Sequence, residues 1–195
     1  MATRTQSTDP RAERVRTKLI DAAFALAHER QVDQLTVGDL VGRACVSRQV
    51  FYRHFTDRDD AVATAFAVAF AAATADLDDE PRPRILRIFG LASEHRAMYR
   101  NLVPSAVAQR VVAAFRAELL PACEELAARA LPVVGTAAGL EPHSVSRFLV
   151  GGFQEVLRSW MEDDSESGHA ADLLDRVTAA LDTVDALLSR RDLTT

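Results

Sequence analysis

Two helix-capping residues, Thr36 and Ser47, stand eleven residues apart and leave room for only short helices. The Thr36 hydroxyl can accept a hydrogen bond from the amide of Asp39, and the Asp39 carboxylate can reach back to Thr36, as in a capping box. This spacing predicts a short second helix, a tight turn at Cys45-Val46 and a third helix over Arg48–Phe55 that Ser47 caps. The chain therefore contains two short helices joined by a three- to four-residue turn.

The rest of the chain also favours helices. It has only 8 Gly and 7 Pro in 195 residues, and its apolar residues recur at intervals of three and four from Arg11 onward. We expect an all-α fold of about nine helices, at approximately 11–29, 36–44, 48–55, 57–77, 83–92, 95–102, 105–131, 142–162 and 169–190. The predicted organisation is a disordered arm at 1–10, a three-helix helix-turn-helix module at 11–56 and a second helical domain at 57–195.

Charge is distributed unevenly along the chain. The net charge is −5, but residues 1–58 hold 10 Lys and Arg against 7 Asp and Glu, or +3, while residues 59–195 hold 13 against 21, or −8. A basic N-terminal part on an acidic body suits a protein that meets phosphates at one end only.

The third helix has the side chains that DNA recognition requires. An Arg can pair bidentately with guanine and a Gln with adenine, so Arg48 and Gln49 are the candidates for reading bases. The apolar residues expected to hold the two short helices together are Leu40, Val46, Phe51 and Phe55. The predicted DNA-binding residues are Thr36, Ser47, Arg48, Gln49, Tyr52, Arg53, His54 and Arg58.

The same segment resembles the DNA-binding signature of the TetR family of transcriptional regulators. The matching residues are Ala44-Cys45-Val46-Ser47 and then Phe51-Tyr52-Arg53-His54-Phe55. The resemblance implies phosphate contacts from Thr36, Tyr52 and His54, and base contacts from the start of the third helix. The sequence departs from the family at Cys45, where Gly is usual, and at Arg58, where Lys is usual. Since a positive φ is cheap only for Gly, we expect strain or a reshaped turn at Cys45.

The C-terminal half resembles the paired dimerisation helices of many TetR-like proteins. Gly151 and Gly152 each cost a helix about 1 kcal/mol relative to Ala, which indicates a close approach of another backbone. Two such helices from each protomer would form an isologous four-helix bundle. The predicted interface residues are Phe148, Gly151, Gly152, Val156, Trp160, Leu173, Val177, Leu181 and Val184.

Aromatic and polar residues of the second domain could enclose a small molecule or simply fill the core. A ligand pocket needs a few apolar walls and one or two polar groups. The predicted pocket residues are Phe66, Phe70, Phe89, His95, Tyr99, Phe115 and Gln154.

Several other classes of protein are not expected. The N-terminus has no signal-peptide pattern and no segment is apolar for long enough to span a membrane, so we expect a cytoplasmic protein without membrane partners. Cys45 and Cys123 lack a metal-type spacing and are expected to be reduced thiols, with no metal or cofactor. No nucleophile–base pair or Gly-rich phosphate loop indicates an enzyme. The resemblance implies a homodimeric repressor that a small-molecule effector releases from a palindromic DNA operator. An effector-independent activator or architectural DNA-binding protein is the alternative.

Overall fold

The computed structural model describes residues 10–76, 80–102, 105–138, 141–163 and 170–189, with side chains omitted at 130–138, 170 and 187–189. These residues form helices without any strand, which confirms the predicted all-α class. The helices are α1 Pro10–Glu29, α2 Val37–Ala44, α3 Arg48–Phe51, α4 Arg58–Thr74, α5 Pro81–Glu94, α6 Arg96–Leu102, α7 Ala108–Ala138, α8 Pro142–Glu162 and α9 Ala170–Ser189. A single 3-10 turn, Val32–Gln34, lies between α1 and α2. No described helix combines the length and hydrophobicity needed to cross a bilayer.

The chain divides into two compact units. The first unit contains the residues up to Val68 together with Ala97–Val111, and the second contains Ala69–Arg96 and the residues from Val112 onward. Helix α4 therefore contributes to both units. The predicted functional division at residues 56 and 57 stays a prediction. The predicted disordered arm falls on residues 1–9, which lie outside the described residues, and on Pro10, the first residue of α1.

The first unit is built around the apolar face of α1. Leu19, Ala23 and Leu26 lie one helical turn apart and are buried. Aromatic contacts continue this core: Phe24 and Phe66 meet edge to face with ring centroids 6.0 Å apart, and Phe66 and Tyr99 meet at a tilt with centroids 5.8 Å apart. Aromatic packing therefore joins α1, α4 and α6 within this unit.

The second unit has its own aromatic core. The Phe115 ring lies 5.5 Å from Phe70 and 5.3 Å from Phe89, and Phe89 lies 6.1 Å from Phe153, all between centroids. At the C-terminal end of α8, Trp160 is fully buried beneath the guanidinium of Arg96, whose Cζ lies 4.6 Å from the ring centroid. These contacts fix α5, α7 and α8 around one interior.

Two predicted helix ends were wrong. Helix α3 ends at Phe51 rather than Phe55, because the next turn tightens: the amides of Arg53 and His54 donate to the carbonyls three residues back. Helix α7 continues through Pro132 to Ala138, although the proline was expected to end it. A proline removes one backbone hydrogen bond, and in a helix of 31 residues the other bonds keep the helix continuous.

Candidate nucleic-acid interface

The N-terminus of α2 carries the predicted capping box. Thr36 donates to Asp39 Oδ2 from its backbone N at 2.8 Å and from its hydroxyl at 2.7 Å, and the Asp39 amide donates to Thr36 Oγ1 at 3.2 Å. Arg30 Nη2 lies 2.8 Å from the other carboxylate oxygen of Asp39. The hydrogen bonds from Thr36, followed by the interaction with Arg30, lower the pKa of Asp39 from 3.8 to about 2. The carboxylate is therefore ionised at neutral pH and fixes the start of α2.

The turn between α2 and α3 is a Schellman motif. The amide of Val46 donates to the carbonyl of Val41 at 3.0 Å, and the amide of Cys45 donates to that of Gly42 at 3.3 Å. The motif places Cys45 in the left-handed region, with φ 54° and ψ 46°. The positive φ expected at this position is therefore present, and a residue with a β-carbon occupies it.

Helix α3 has one buried side and one exposed side. The Ser47 hydroxyl accepts a hydrogen bond from the Val50 amide at 3.3 Å, which confirms Ser47 as the N-cap. Phe51 is 0% exposed, whereas its neighbour Tyr52 is 59% exposed. Leu40 and Phe55 are also buried, and Val46 is half-buried. Of the predicted DNA-binding residues, His54 and Arg58 are half-buried, and the exposed ones are Thr36, Ser47, Arg48, Gln49, Tyr52 and Arg53.

The arginines of this region differ in their partners. Arg30 pairs with Asp39, and Arg43 Nη2 lies 2.7 Å from Glu29 Oε2. The guanidinium groups of Arg48 and Arg53, in contrast, form no ion pair or hydrogen bond within the described part of the chain. These two cations are therefore available to an anionic ligand without breaking a contact that the structure describes.

Arg58 has a structural partner that the sequence did not reveal. Its Nη1 donates to the backbone oxygens of Asp33 and Leu35, both at 3.0 Å, and its Nε donates to Asp59 at 2.6 Å. Arg58 thus binds the start of α4 to the segment that leads into α2. A DNA contact from Arg58 stays a prediction, and this geometry gives the residue a bracing role as well.

A family model described as bacterial regulatory proteins, tetR family, matches residues 19–63. This match covers the second half of α1, the capping box, the Schellman turn, α3 and the start of α4. Residues 19–63 are therefore similar to the tetR family of bacterial regulatory proteins.

Solved structures share the fold over nearly the whole chain. A protein assigned as a transcriptional regulator from Pseudomonas aeruginosa PAO1 has a TM-score of 0.56 at 17% identity, and the alignment covers 97% of this chain and 98% of that one. A tetR-family transcriptional regulator from Streptomyces coelicolor has a TM-score of 0.55 at 18% identity, with coverage of 91% and 88%. The fatty acid degradation regulator FadR from Bacillus halodurans has a TM-score of 0.53 at 18% identity, with coverage of 94% and 96%. No curated protein matches the sequence.

The predicted pocket residues are distributed over both units. Phe66 and Tyr99 belong to the first unit, and the second unit holds Phe70, Phe89, His95, Phe115 and Gln154. His95 and Gln154 are half-buried and the others are buried. The ring-to-ring contacts of the phenylalanines are those of a packed core, and a role in binding a ligand stays a prediction.

The predicted interface residues fall into two groups. Phe148, Gly151 and Gly152 are exposed on α8, and Phe148 is 79% exposed. Val156 and Val184 are half-buried. The residues buried within the single chain are Trp160, Leu173, Val177 and Leu181, so they already serve its interior. A dimer interface on α8 would therefore begin at Phe148 and the two glycines.

Sequence reasoning missed a polar group in the second unit. Thr74 Oγ1 donates to Glu118 Oε2 at 3.4 Å, and Arg84 Nη2 lies 3.6 Å from the same oxygen. The Nε of Arg84 is buried and has no hydrogen-bond partner within the described residues. The three residues lie on three different helices, and Thr74 and Glu118 are 44 positions apart in the sequence. No local sequence pattern therefore joins them.

The two cysteines also differ. Cys45 is exposed in the turn, while Cys123 is buried on α7. Burial, with a smaller contribution from Glu124, raises the pKa of the Cys123 thiol to about 12. Cys123 is therefore a protonated apolar residue rather than a reactive thiolate at neutral pH.

Proposed function

We propose that the protein is a homodimeric repressor that binds a palindromic DNA operator and leaves it when a small-molecule effector binds. In this proposal the two copies of α3 enter successive major grooves about 34 to 36 Å apart. The effector favours a dimer with a different spacing of the two DNA-binding units. Such a regulator acts on DNA in the cytoplasm.

The observation that carries the proposal is the exposed side of α3. Arg48 and Gln49 project from its first turn, where their side chains suit guanine and adenine edges. Arg53 adds a cation with no partner among the described residues, and Tyr52 adds a hydroxyl on a side chain that is 59% exposed. The buried ring of Phe51 holds this short helix in place from beneath.

The N-termini of the two helices support phosphate binding beside the base contacts. Ser47 is an exposed cap whose hydroxyl lies next to backbone amides and the positive end of a helix dipole, and the exposed Thr36 hydroxyl would contact a phosphate by giving up its hydrogen bond to Asp39. His54 contributes a further donor from the turn after α3. Phosphate contacts from these residues orient the domain, while Arg48 and Gln49 read the sequence.

The exposed part of α8 supports a dimer. The largely exposed Phe148 lies near Gly151 and Gly152, and a β-carbon at either glycine would meet nothing within 4 Å, so a second backbone can approach this apolar surface. An isologous contact would bury Phe148 of each protomer at the same interface. Dimerisation also doubles the DNA contacts, which accounts for recognition of a palindrome.

The effector is proposed to bind in the second unit. Its aromatic residues supply apolar surface, and Arg84, Glu118 and Thr74 supply polar groups that include one buried nitrogen without a partner among the described residues. A ligand that orders this region would favour one arrangement of the protein over another. Release of DNA on ligand binding requires a coupling free energy of about 1 to 3 kcal/mol.

The experiment that tests this function begins with selection of bound sequences from a random duplex pool. Arg48→Ala and Tyr52→Phe are then compared with the unchanged protein on the selected operator. We expect Arg48→Ala to cost about 1 to 3 kcal/mol and to relax the preference at one base pair. Tyr52→Phe should weaken binding to all sequences alike.

Arg116→Ala is the matched control, because Arg116 is an exposed arginine of the second unit. It should leave both affinity and base preference unchanged. A selected pool without any consensus, or equal binding by Arg48→Ala and the unchanged protein, would exclude the proposed recognition. A compound screen for release of the operator then separates the repressor from an effector-independent DNA-binding protein.

A further inference from the structure

Gly38, near the start of α2, lies against the tip of the Arg48 side chain. A β-carbon placed on Gly38 would lie 3.2 Å from Arg48 Nη2 and 3.3 Å from Thr36 Oγ1, both closer than the 3.4 to 4 Å of ordinary contact. We propose that Gly38 is a positioning residue for DNA recognition, because the missing side chain leaves the space in which the Arg48 guanidinium lies. This inference rests on the proposed role of Arg48 in binding DNA.

The two neighbours of Gly38 differ in how easily they can move. Thr36 Oγ1 is held on both sides, since it donates to the Asp39 carboxylate and accepts from the Asp39 amide. The guanidinium of Arg48 has no hydrogen bond or ion pair within the described residues and ends a long flexible side chain. A side chain at position 38 would therefore displace mainly the Arg48 guanidinium, which can rotate away, while it also presses against the Thr36 hydroxyl, which is held in place.

Displacement of the guanidinium matters more for DNA recognition than for folding. Bidentate pairing of an arginine with guanine needs two N–H groups aligned with two acceptors. Arg48 is the first residue of α3, so its backbone is fixed by the Ser47 cap and only the side chain can adjust. Gly38 thus influences the preferred position of the Arg48 guanidinium without forming a hydrogen bond to it.

Helix α2 provides its own control at Gly42. A β-carbon at Gly42 would meet nothing within 4 Å, and the residue is exposed. Alanine favours a helix over glycine at both positions. Gly38→Ala and Gly42→Ala therefore make the same chemical change on the same helix, and only the first meets Arg48.

The test is a double-mutant cycle on the full chain. Gly38→Ala, Gly42→Ala, Arg48→Ala and the Gly38→Ala/Arg48→Ala pair are compared for the thermal midpoint, for affinity to the selected operator and for base preference. We expect Gly38→Ala to weaken operator binding by about five-fold or more and to change preference at the base pair that Arg48→Ala affects. Gly42→Ala should bind like the unchanged protein. In the Arg48→Ala background, Gly38→Ala should have no further effect.

The outcomes separate this inference from the proposed function. If Arg48→Ala binds and discriminates like the unchanged protein, the DNA-binding role of Arg48 is wrong. If Arg48→Ala weakens binding while Gly38→Ala matches Gly42→Ala, the positioning role of Gly38 is wrong. The positioning role would also be wrong if Gly38→Ala lowered operator affinity equally in the presence of Arg48 and in the Arg48→Ala background. If Gly38→Ala has a lower thermal midpoint than the unchanged protein, Gly38→Ser, which adds the same β-carbon, replaces it in the cycle.

Discussion

The side-chain nitrogen of Asn101 lies 3.2 Å from the backbone oxygen of His28, so a residue of α6 caps the C-terminal end of α1. The same Nδ2 donates to the oxygen of Ala27 at 3.0 Å. Carbonyls in the last turn of a helix lack hydrogen-bond donors within the helix. Asn101, which lies 73 residues after His28, supplies the missing donor. Within the first unit, the segment Ala97–Val111 is therefore attached to α1 by a specific polar contact as well as by aromatic packing.

Replacing Asn101 with alanine should lower the free energy of unfolding by about 1 to 2 kcal/mol, because two carbonyls lose a donor. Asn101→Asp should cost more, since a carboxylate of the same size repels both oxygens. Thermal and urea unfolding measure the difference. Gln109→Ala, at an exposed position of the same unit, is the control. Equal stability of Asn101→Asp and the unchanged protein would contradict this prediction.

The capping box predicts a pH dependence through Asp39. Its folded-state pKa is depressed to about 2, so its stabilising contribution is fully present above its ordinary pKa of 3.8 and is lost as pH falls through about 2. Asp39→Asn removes the ionised group. The difference in thermal midpoint between the two proteins should be largest above pH 4 and should shrink steadily on acidification. A difference that stays constant from pH 6 to pH 2 would refute the assignment.

Cys45→Gly should stabilise the protein by about 0.5 to 1 kcal/mol. Glycine adopts the φ of 54° without steric cost, and the gain exceeds the entropy lost from a more flexible unfolded chain. Cys45→Ser is the control, because it removes the thiol and retains the β-carbon. The measurement is the free energy of unfolding in urea. Identical stability of the glycine and serine variants would show that the turn stores no strain.

Phe148→Glu should convert the proposed dimer to monomers at micromolar concentration. Burial of a phenylalanine contributes about 1.5 to 3 kcal/mol, and an isologous interface loses that contribution twice. Sedimentation measures the oligomeric state. Val112→Glu is the matched control, since Val112 is another exposed apolar residue of the second unit. A Phe148→Glu protein that sediments as the unchanged protein does would exclude α8 from the interface.

Local sequence signals predicted much of the segment from α2 to α3. The Thr36 and Ser47 caps act within three residues, and the positive φ at Cys45 follows from the short turn, so all three could be recognised in the sequence. The apolar spacing likewise predicted which side of α3 is buried. Helix ends were less certain, because the hydrogen-bond geometry after Phe51 depends on tertiary packing rather than on propensity.

The remaining features depend on contacts between distant residues. Asn101 reaches α1, and Arg110 Nη2 lies 3.0 Å from Asp60 Oδ1, but neither pair shares a local pattern. The burial of Leu173 and Trp160 within a single chain is equally hard to predict from the sequence, because an apolar stripe on a helix has the same residue pattern whether it packs against the core or against a partner. The sequence therefore predicted α3 more completely than the distant residues that support it.

The hydrogen bonds of Arg58 have an evolutionary consequence. Arg58 Nη1 binds the main-chain oxygens of Asp33 and Leu35, which every amino acid possesses. The exposed Asp33 can therefore be substituted while the contact persists, so correlated changes among relatives would not reveal it. The orientation of α2 can thus be inherited through backbone shape, with the buried Leu35 side chain constrained by packing rather than by Arg58.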